Sequence, residues 1–256
     1  MYMKRAFFFI LSIFVIHNVT AQNFEVGGNT SINTSWILNQ NAYEILQLVC
    51  PEDPLIIGSE PGYSLTMGYS IGGSAAYNSK SFWSVGAELN YTKRGQNYKE
   101  SWTGNGCARG DINNFQRKFT LHYFELPLLV KLKTRNRKKV SGYGEFGLQI
   151  GVLLSAKEKI SIDGEETPIV FSAANDKVNR IDFGAILGGG IDIELSNNLY
   201  LSAGLRSFIG FLDLNKAAAA AFVSDNDDTY QQSRNFSLGA NIGIHYVFDW
   251  VGGLYR

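Results

Sequence analysis

The chain has 256 residues, with 23 Lys and Arg against 23 Asp and Glu, 45% hydrophobic, 13% aromatic and only 18% charged residues. So many aromatics with so little charge exclude a disordered chain. No apolar run reaches the ~18 residues of a membrane-spanning helix, and a net charge of zero offers nucleic acid no basic footprint. What remains is a β-prone chain rich in glycine (27 residues) with two cysteines.

Residues 1–21 read as an export signal. Lys4 and Arg5 precede an apolar run from Ala6 to Ile16, and Val19-Thr20-Ala21 supplies tolerated residues before Gln22. That layout predicts cleavage after Ala21 and a mature domain over 22–256. A run of 11 residues is too short to cross a bilayer as a helix.

From residue 24 onward the sequence alternates with period two, the signature of a strand with two unlike faces. In chain order the pattern predicts strands near 24–37, 62–77, 82–95, 117–133, 140–156, 181–195, 199–211 and 235–248. In 82–95, Trp83, Val85, Ala87, Leu89 and Tyr91 oppose Ser84, Gly86, Glu88, Asn90 and Thr92. In the last strand Phe236, Leu238, Ala240, Ile242, Ile244, Tyr246 and Phe248 share a face opposite Gly239, Asn241, Gly243 and His245. Most of these strands exceed the ~5–6 residues usual in soluble sheets. Their small, polar face suits a crowded interior and their aliphatic face a lipid-facing exterior.

The connections alternate too. Long segments at 38–61, 96–116, 157–180 and 213–234 are separated by short turns at 78–80, 134–139 and 196–198. Four long loops at one end and three short turns at the other describe an all-β, eight-stranded antiparallel up-and-down transmembrane barrel with long extracellular loops and periplasmic turns. Backbone groups in lipid must all be paired, so the sheet must close. A soluble lipocalin-like binder also has eight strands, but it needs its apolar face inside.

Inward register predicts a polar interior network of Glu25, Glu88, Glu125, Lys131, Glu145, Asp182, Asp192, Glu194 and Arg206. Buried charges persist only when paired and hydrogen-bonded. Phe119, Leu121 and Tyr123 fall out of phase with the aliphatic row from Phe124 to Leu132, and Pro127 cannot donate to a ladder, so a bulge or kink is expected in this strand.

His122-Tyr123-Phe124-Glu125-Leu126-Pro127-Leu128-Leu129-Val130-Lys131 resembles a strand of the PorT-like family of Bacteroidetes outer-membrane β-barrel proteins. Asp182 to Gly190 and Leu205 to Phe211 are similar to two further strands of that family, in the same order. The resemblance implies an eight-stranded outer-membrane barrel with no shared catalytic residues. One namesake acts in type IX secretion, which makes a secretion-apparatus component the alternative to a structural or interaction barrel.

Other motifs refine this expectation. Asn241, Gly243, Tyr246 and Phe248 resemble the terminal-strand signal read by the barrel-assembly machinery. Cys50 and Cys107 fall in the first two long loops, and export through an oxidising compartment favours a bridge closing 58 residues. Lys133, Arg135, Arg137, Lys138 and Lys139 cluster at one periplasmic turn, either as a docking patch for an envelope protein or in contact with lipid phosphates. Asp225, Asp227 and Asp228 lack the Gly and Glu of a calcium loop. His122 is the histidine nearest the outer rim, where a membrane-barrel hydrolase would need a Ser–His pair. No catalytic set, cofactor or metal site is expected. The expected partners are outer-membrane lipid and the assembly machinery, with no nucleic acid.

Overall fold

Residues that alternate in character build extended chain, and the computed structural model follows that alternation almost throughout. It describes residues 23–38, 62–64, 66–79, 82–100, 115–134, 139–162, 165–167, 178–214 and 232–249. The strands are β1 (Asn23–Leu38), β2 (Gly62–Ser64), β3 (Met67–Asn78), β4 (Trp83–Glu100), β5 (Phe115–Lys133), β6 (Val140–Ile162), β7 (Glu165–Thr167), β8 (Ile181–Ser196), β9 (Leu199–Gly210) and β10 (Arg234–Asp249). Eight of them are long, and each long strand pairs antiparallel with its neighbours in sequence. The first and last also pair, from Asn23↔Asp249 to Leu38↔Arg234 without a register shift, and this closes the barrel. Closure pairs each long strand on both sides through the body of the barrel, the condition for a sheet in hydrocarbon.

Exposure settles which face looks where. Leu89 is 60% exposed between Glu88 at 9% and Asn90 at 4%. Leu187, Leu205 and Ile242 are likewise turned outward, and the carboxylates Glu25, Glu125 and Glu145 are buried inside. The apolar rows therefore coat the exterior, the reverse of a lipocalin-like carrier. Outward rings gather near both ends: Phe24 with Phe248 and Tyr246 at one, Trp36 with Phe236 at the other. The twelve steps from Phe24 to Trp36 rise about 40 Å along the strand, or about 30 Å along the axis at a tilt of ~40°.

Three details depart from the sequence expectation. Residues 62–77 are not one strand: β2 pairs with the far end of β4 (Gly62↔Lys99), and β3 starts at Met67. Pro127 causes no bulge. Its partners in β6 stay in register, and β4–β5 pairing merely lapses between Ala87↔Leu128 and Asn90↔Glu125 with the register unchanged, which accommodates the missing N–H. The bulge lies across the ladder in β6, where His122 pairs Ser155 and Tyr123 pairs Leu153, leaving Leu154 as the extra residue. Phe119, Leu121 and Tyr123 in fact share the inward phase of Glu125. What changes along β5 is the chemistry of the lumen, from polar to apolar.

β4, β5 and β6 run to 18, 19 and 23 residues, well beyond the ~9–11 needed to cross a bilayer. They rise as a wall at the long-connection end.

Candidate functional site

The lumen concentrates the buried ionisable chemistry of the described residues, and it is organised in layers. Nearest the short turns, Glu25 accepts a hydrogen bond from Asn78 at 2.7 Å and one from the Tyr200 hydroxyl. Lys133 lies 3.7 Å from the same carboxylate and 3.8 Å from Asp192. Lys131 donates to Asp192 at 2.9 Å and sits 3.7 Å above the Tyr143 ring. Tyr143 needs Gly204 across from it, because a Cβ there would lie 2.5 Å from its hydroxyl.

The middle layer is built around Arg206. Its guanidinium donates to both oxygens of Glu88 at 2.7 and 2.9 Å, and to Glu145 at 2.8 and 3.2 Å. Asn90 donates to Glu88 as well. One cation thus satisfies two buried carboxylates, with bidentate geometry toward Glu88.

Arg94 organises the third layer. It pairs with Glu125 at 2.9 Å, approaches Asp182 at 4.0 Å and stacks 4.4 Å from the Phe208 ring centre. Thr92 donates to Glu125, and Asn235 donates to Asp182. Beyond this layer the interior turns apolar: Ile37, Phe119, Leu121, Tyr123, Leu153, Ala156, Val178 and Leu214 form one buried cluster. Backbone bonds from Leu214 to Ser233 and from Asn179 to Leu214 hold the segments around it.

Two polar cavities of about 50 Å³ each separate the layers. That is room for a few waters. Arg94 Nε, Asn90 Oδ1 and Asn241 Oδ1 are buried without a protein partner and line this space.

Of the residues expected inside, Glu25, Glu88, Glu125, Glu145, Asp182, Asp192, Lys131 and Arg206 face the lumen. Glu125 and Lys131 do not pair with each other, since six residues separate them by about 20 Å along β5. Glu194 is a correction: it keeps the inward register phase opposite Tyr200, but it is exposed, because β8 ends two residues on, at the wetted mouth. Lys133 is another. Expected in the basic cluster at the periplasmic turn, it has the same phase as Lys131 and is drawn inward by Glu25 and Asp192. Lys139 is exposed, while Arg135, Arg137 and Lys138 lie outside the described residues. Outside them too are residues 1–21, Cys50, Cys107 and the Asp225–Asp228 run. Asn241 and Gly243 face inward on β10, and Tyr246 and Phe248 face outward, 4.8 Å apart.

Arg94 was missed although its phase matches Glu88, Asn90 and Thr92, so extending the alternation by one step finds it. Nothing local announces Tyr200 or Asn78 as partners of Glu25, because those contacts join distant strands.

One constellation has hydrolase-like spacing. Ser202 Oγ lies 3.0 Å from His245 Nε2, and His245 Nδ1 lies 3.1 Å from Glu25 Oε1. Its surroundings differ from a hydrolytic site. Glu25 is already engaged by Asn78, Tyr200 and Lys133, and the adjoining cavity is water-sized. Neighbouring backbone N–H groups belong to ladders rather than an oxyanion pocket. His122, by contrast, faces outward with Nδ1 2.7 Å from the Tyr91 hydroxyl. No group of three metal-ligating side chains occurs among the described residues.

The family model described as "Outer membrane protein beta-barrel domain" matches residues 20–214. Among solved structures the chain is similar to Neisserial surface protein A (14% identity, TM-score 0.41), covering 88% of this chain and 97% of that one. It is also similar to OprG from Pseudomonas aeruginosa (10% identity, TM-score 0.40; 89% and 96% covered) and to Ail of Yersinia pestis (11% identity, TM-score 0.34; 88% and 99% covered). No curated protein matches.

Proposed function

The chain belongs to the outer membrane protein β-barrel domain family, and from that membership we propose a non-enzymatic structural and interaction barrel, closed inside by its own side chains. The observation that carries this reading is the Arg206 tie, which fills the middle of the lumen with paired charge between Glu88 and Glu145. The apolar cluster around Leu121 supports it at the long-connection end. Eight strands enclose only enough space for side chains, so a wide aqueous pore has no room.

In this reading the signal over residues 1–21 is cleaved after export, and the barrel-assembly machinery reads the Asn241–Phe248 strand. The four long connections stand outside the cell, where Cys50 and Cys107 form a bridge. Surface presentation, rather than transport, is then the task. The Ser202–His245–Glu25 arrangement serves packing.

Reconstitution into planar bilayers tests it. The expected result is no steady conductance of porin size, together with heat-dependent gel mobility in detergent. Large, stable channel steps would overturn it.

A further inference from the structure

The outer face of the β4–β6 wall carries a basic stripe that the lumen does not use. Lys93 pairs with His122 across β4–β5, and Lys118 pairs with Lys159 across β5–β6. Lys157 stands opposite Thr120, diagonal to both His122 and Lys118. The β6 bulge at Leu154 makes this possible. It reverses the phase of the strand, so Lys157 and Lys159 turn outward and Ala156 turns in. No carboxylate shares this face among the residues whose side chains are described. β7, which carries Glu165 and Glu166, pairs only with Ile160–Ile162 at the far end.

Two physical features point to an anionic partner. Lys118 and Lys159 are directly opposed on one face, an arrangement that destabilises a sheet unless something negative lies between them. The stripe also begins just above a ring of outward aromatics. Tyr91 packs against both Tyr69 and Phe124, and its hydroxyl anchors His122. Aromatics of this kind mark the hydrocarbon boundary. Lys93 lies two residues beyond Tyr91 and Lys118 six beyond Phe124. Those steps place the stripe roughly 5–15 Å above the boundary, at headgroup level and just past it.

We propose that this face docks the phosphorylated headgroups of the glycolipid in the membrane's outer leaflet. The lysines supply charge-assisted hydrogen bonds to phosphate, and an anion bridging Lys118 and Lys159 relieves their repulsion. The inference rests on the reading above that the long connections face outward.

Native mass spectrometry of the full-length barrel in detergent tests it, with diphosphoryl lipid A as probe and dephosphorylated lipid A as the acyl-matched control. The wild type should prefer the phosphorylated form about ten-fold or more, and Lys118→Gln/Lys157→Gln/Lys159→Gln should abolish that preference. A charge-retaining Lys→Arg triple variant should keep it. A second readout has a sign that a merely structural lysine would not show. Lys159→Gln alone should raise the unfolding midpoint in lipid-A-free micelles and lower it when diphosphoryl lipid A is present. Equal binding of both lipids, an unaffected triple variant, or binding of a soluble sulfated oligosaccharide in place of lipid A would overturn the proposal. So would a preference for phosphatidylglycerol. Labelling of Cys50 or Cys107 from outside intact cells, after reduction, then separates a wrong occupant from wrong sidedness.

Discussion

Arg206 on β9 reaches Glu88 on β4, the strand diametrically opposite in the eight-strand ring, with Nη1 2.7 Å from Oε2. The contact ties the two walls across the lumen, and Glu145 on β6 completes it from a third direction. Removing the cation leaves two buried carboxylates uncompensated, so Arg206→Met should cost about 3–5 kcal/mol. Adding Glu88→Gln and Glu145→Gln to that variant should recover much of the loss, because the desolvated charge goes with them. Urea unfolding from lipid vesicles measures both steps. A triple variant no more stable than Arg206→Met would mean that packing, not charge balance, holds the layer.

Leu187 tests the exterior. It is 67% exposed on β8 and flanked by Ile186 and Gly188 on the inner face. If this surface meets hydrocarbon, Leu187→Arg should cost about 2–4 kcal/mol of stability in vesicles near the bilayer midplane. The same change at a water-facing site is nearly silent. A cost well under 1 kcal/mol would contradict lipid contact at this height.

The period-two pattern made the barrel legible, because each strand sets aliphatics such as Leu89 and Ile242 against small or polar residues such as Asn90 and Gly243. Register of side chains to one face is a local property, so eight of the nine expected interior residues could be read from single strands. Partner choice is not local. Glu125 meets Arg94 on the neighbouring strand and Lys131 meets Asp192 two strands away, although the sequence sets Glu125 and Lys131 close together on β5. The β6 bulge was hidden for a similar reason. A one-residue insertion in one strand is defined only by its neighbour, and Pro127 drew attention to the wrong side of the ladder. The basic neighbours of Lys133 in sequence point to the turn, whereas Glu25 on β1 decides where its side chain goes.

The apolar cluster at the long-connection end offers a separate test. Leu121 is fully buried among Ile37, Phe119 and Leu153. Leu121→Ala should destabilise by about 2–5 kcal/mol, through lost transfer energy and the cavity left behind. Leu121→Asn should cost at least as much, since its amide would be buried in a mostly apolar cluster. Denaturant unfolding in micelles checks both. An equal, small effect for the two would mean the cluster is hydrated.

The Ser202–His245–Glu25 spacing makes the non-enzymatic reading testable at one residue. A serine activated as a nucleophile reacts with a fluorophosphonate probe, and the label would map to Ser202 and vanish in Ser202→Ala. The expected outcome is no labelling, because Ser202 is 4% exposed beside a cavity of about 50 Å³. Ser202→Ala should instead act through structure. It removes the hydroxyl partner of His245 Nε2, leaving a buried ring nitrogen without its hydrogen bond. A loss of about 1–3 kcal/mol in unfolding free energy is expected. Specific labelling of Ser202, together with turnover of a small ester that Ser202→Ala abolishes, would reverse the assignment and make this layer an active site.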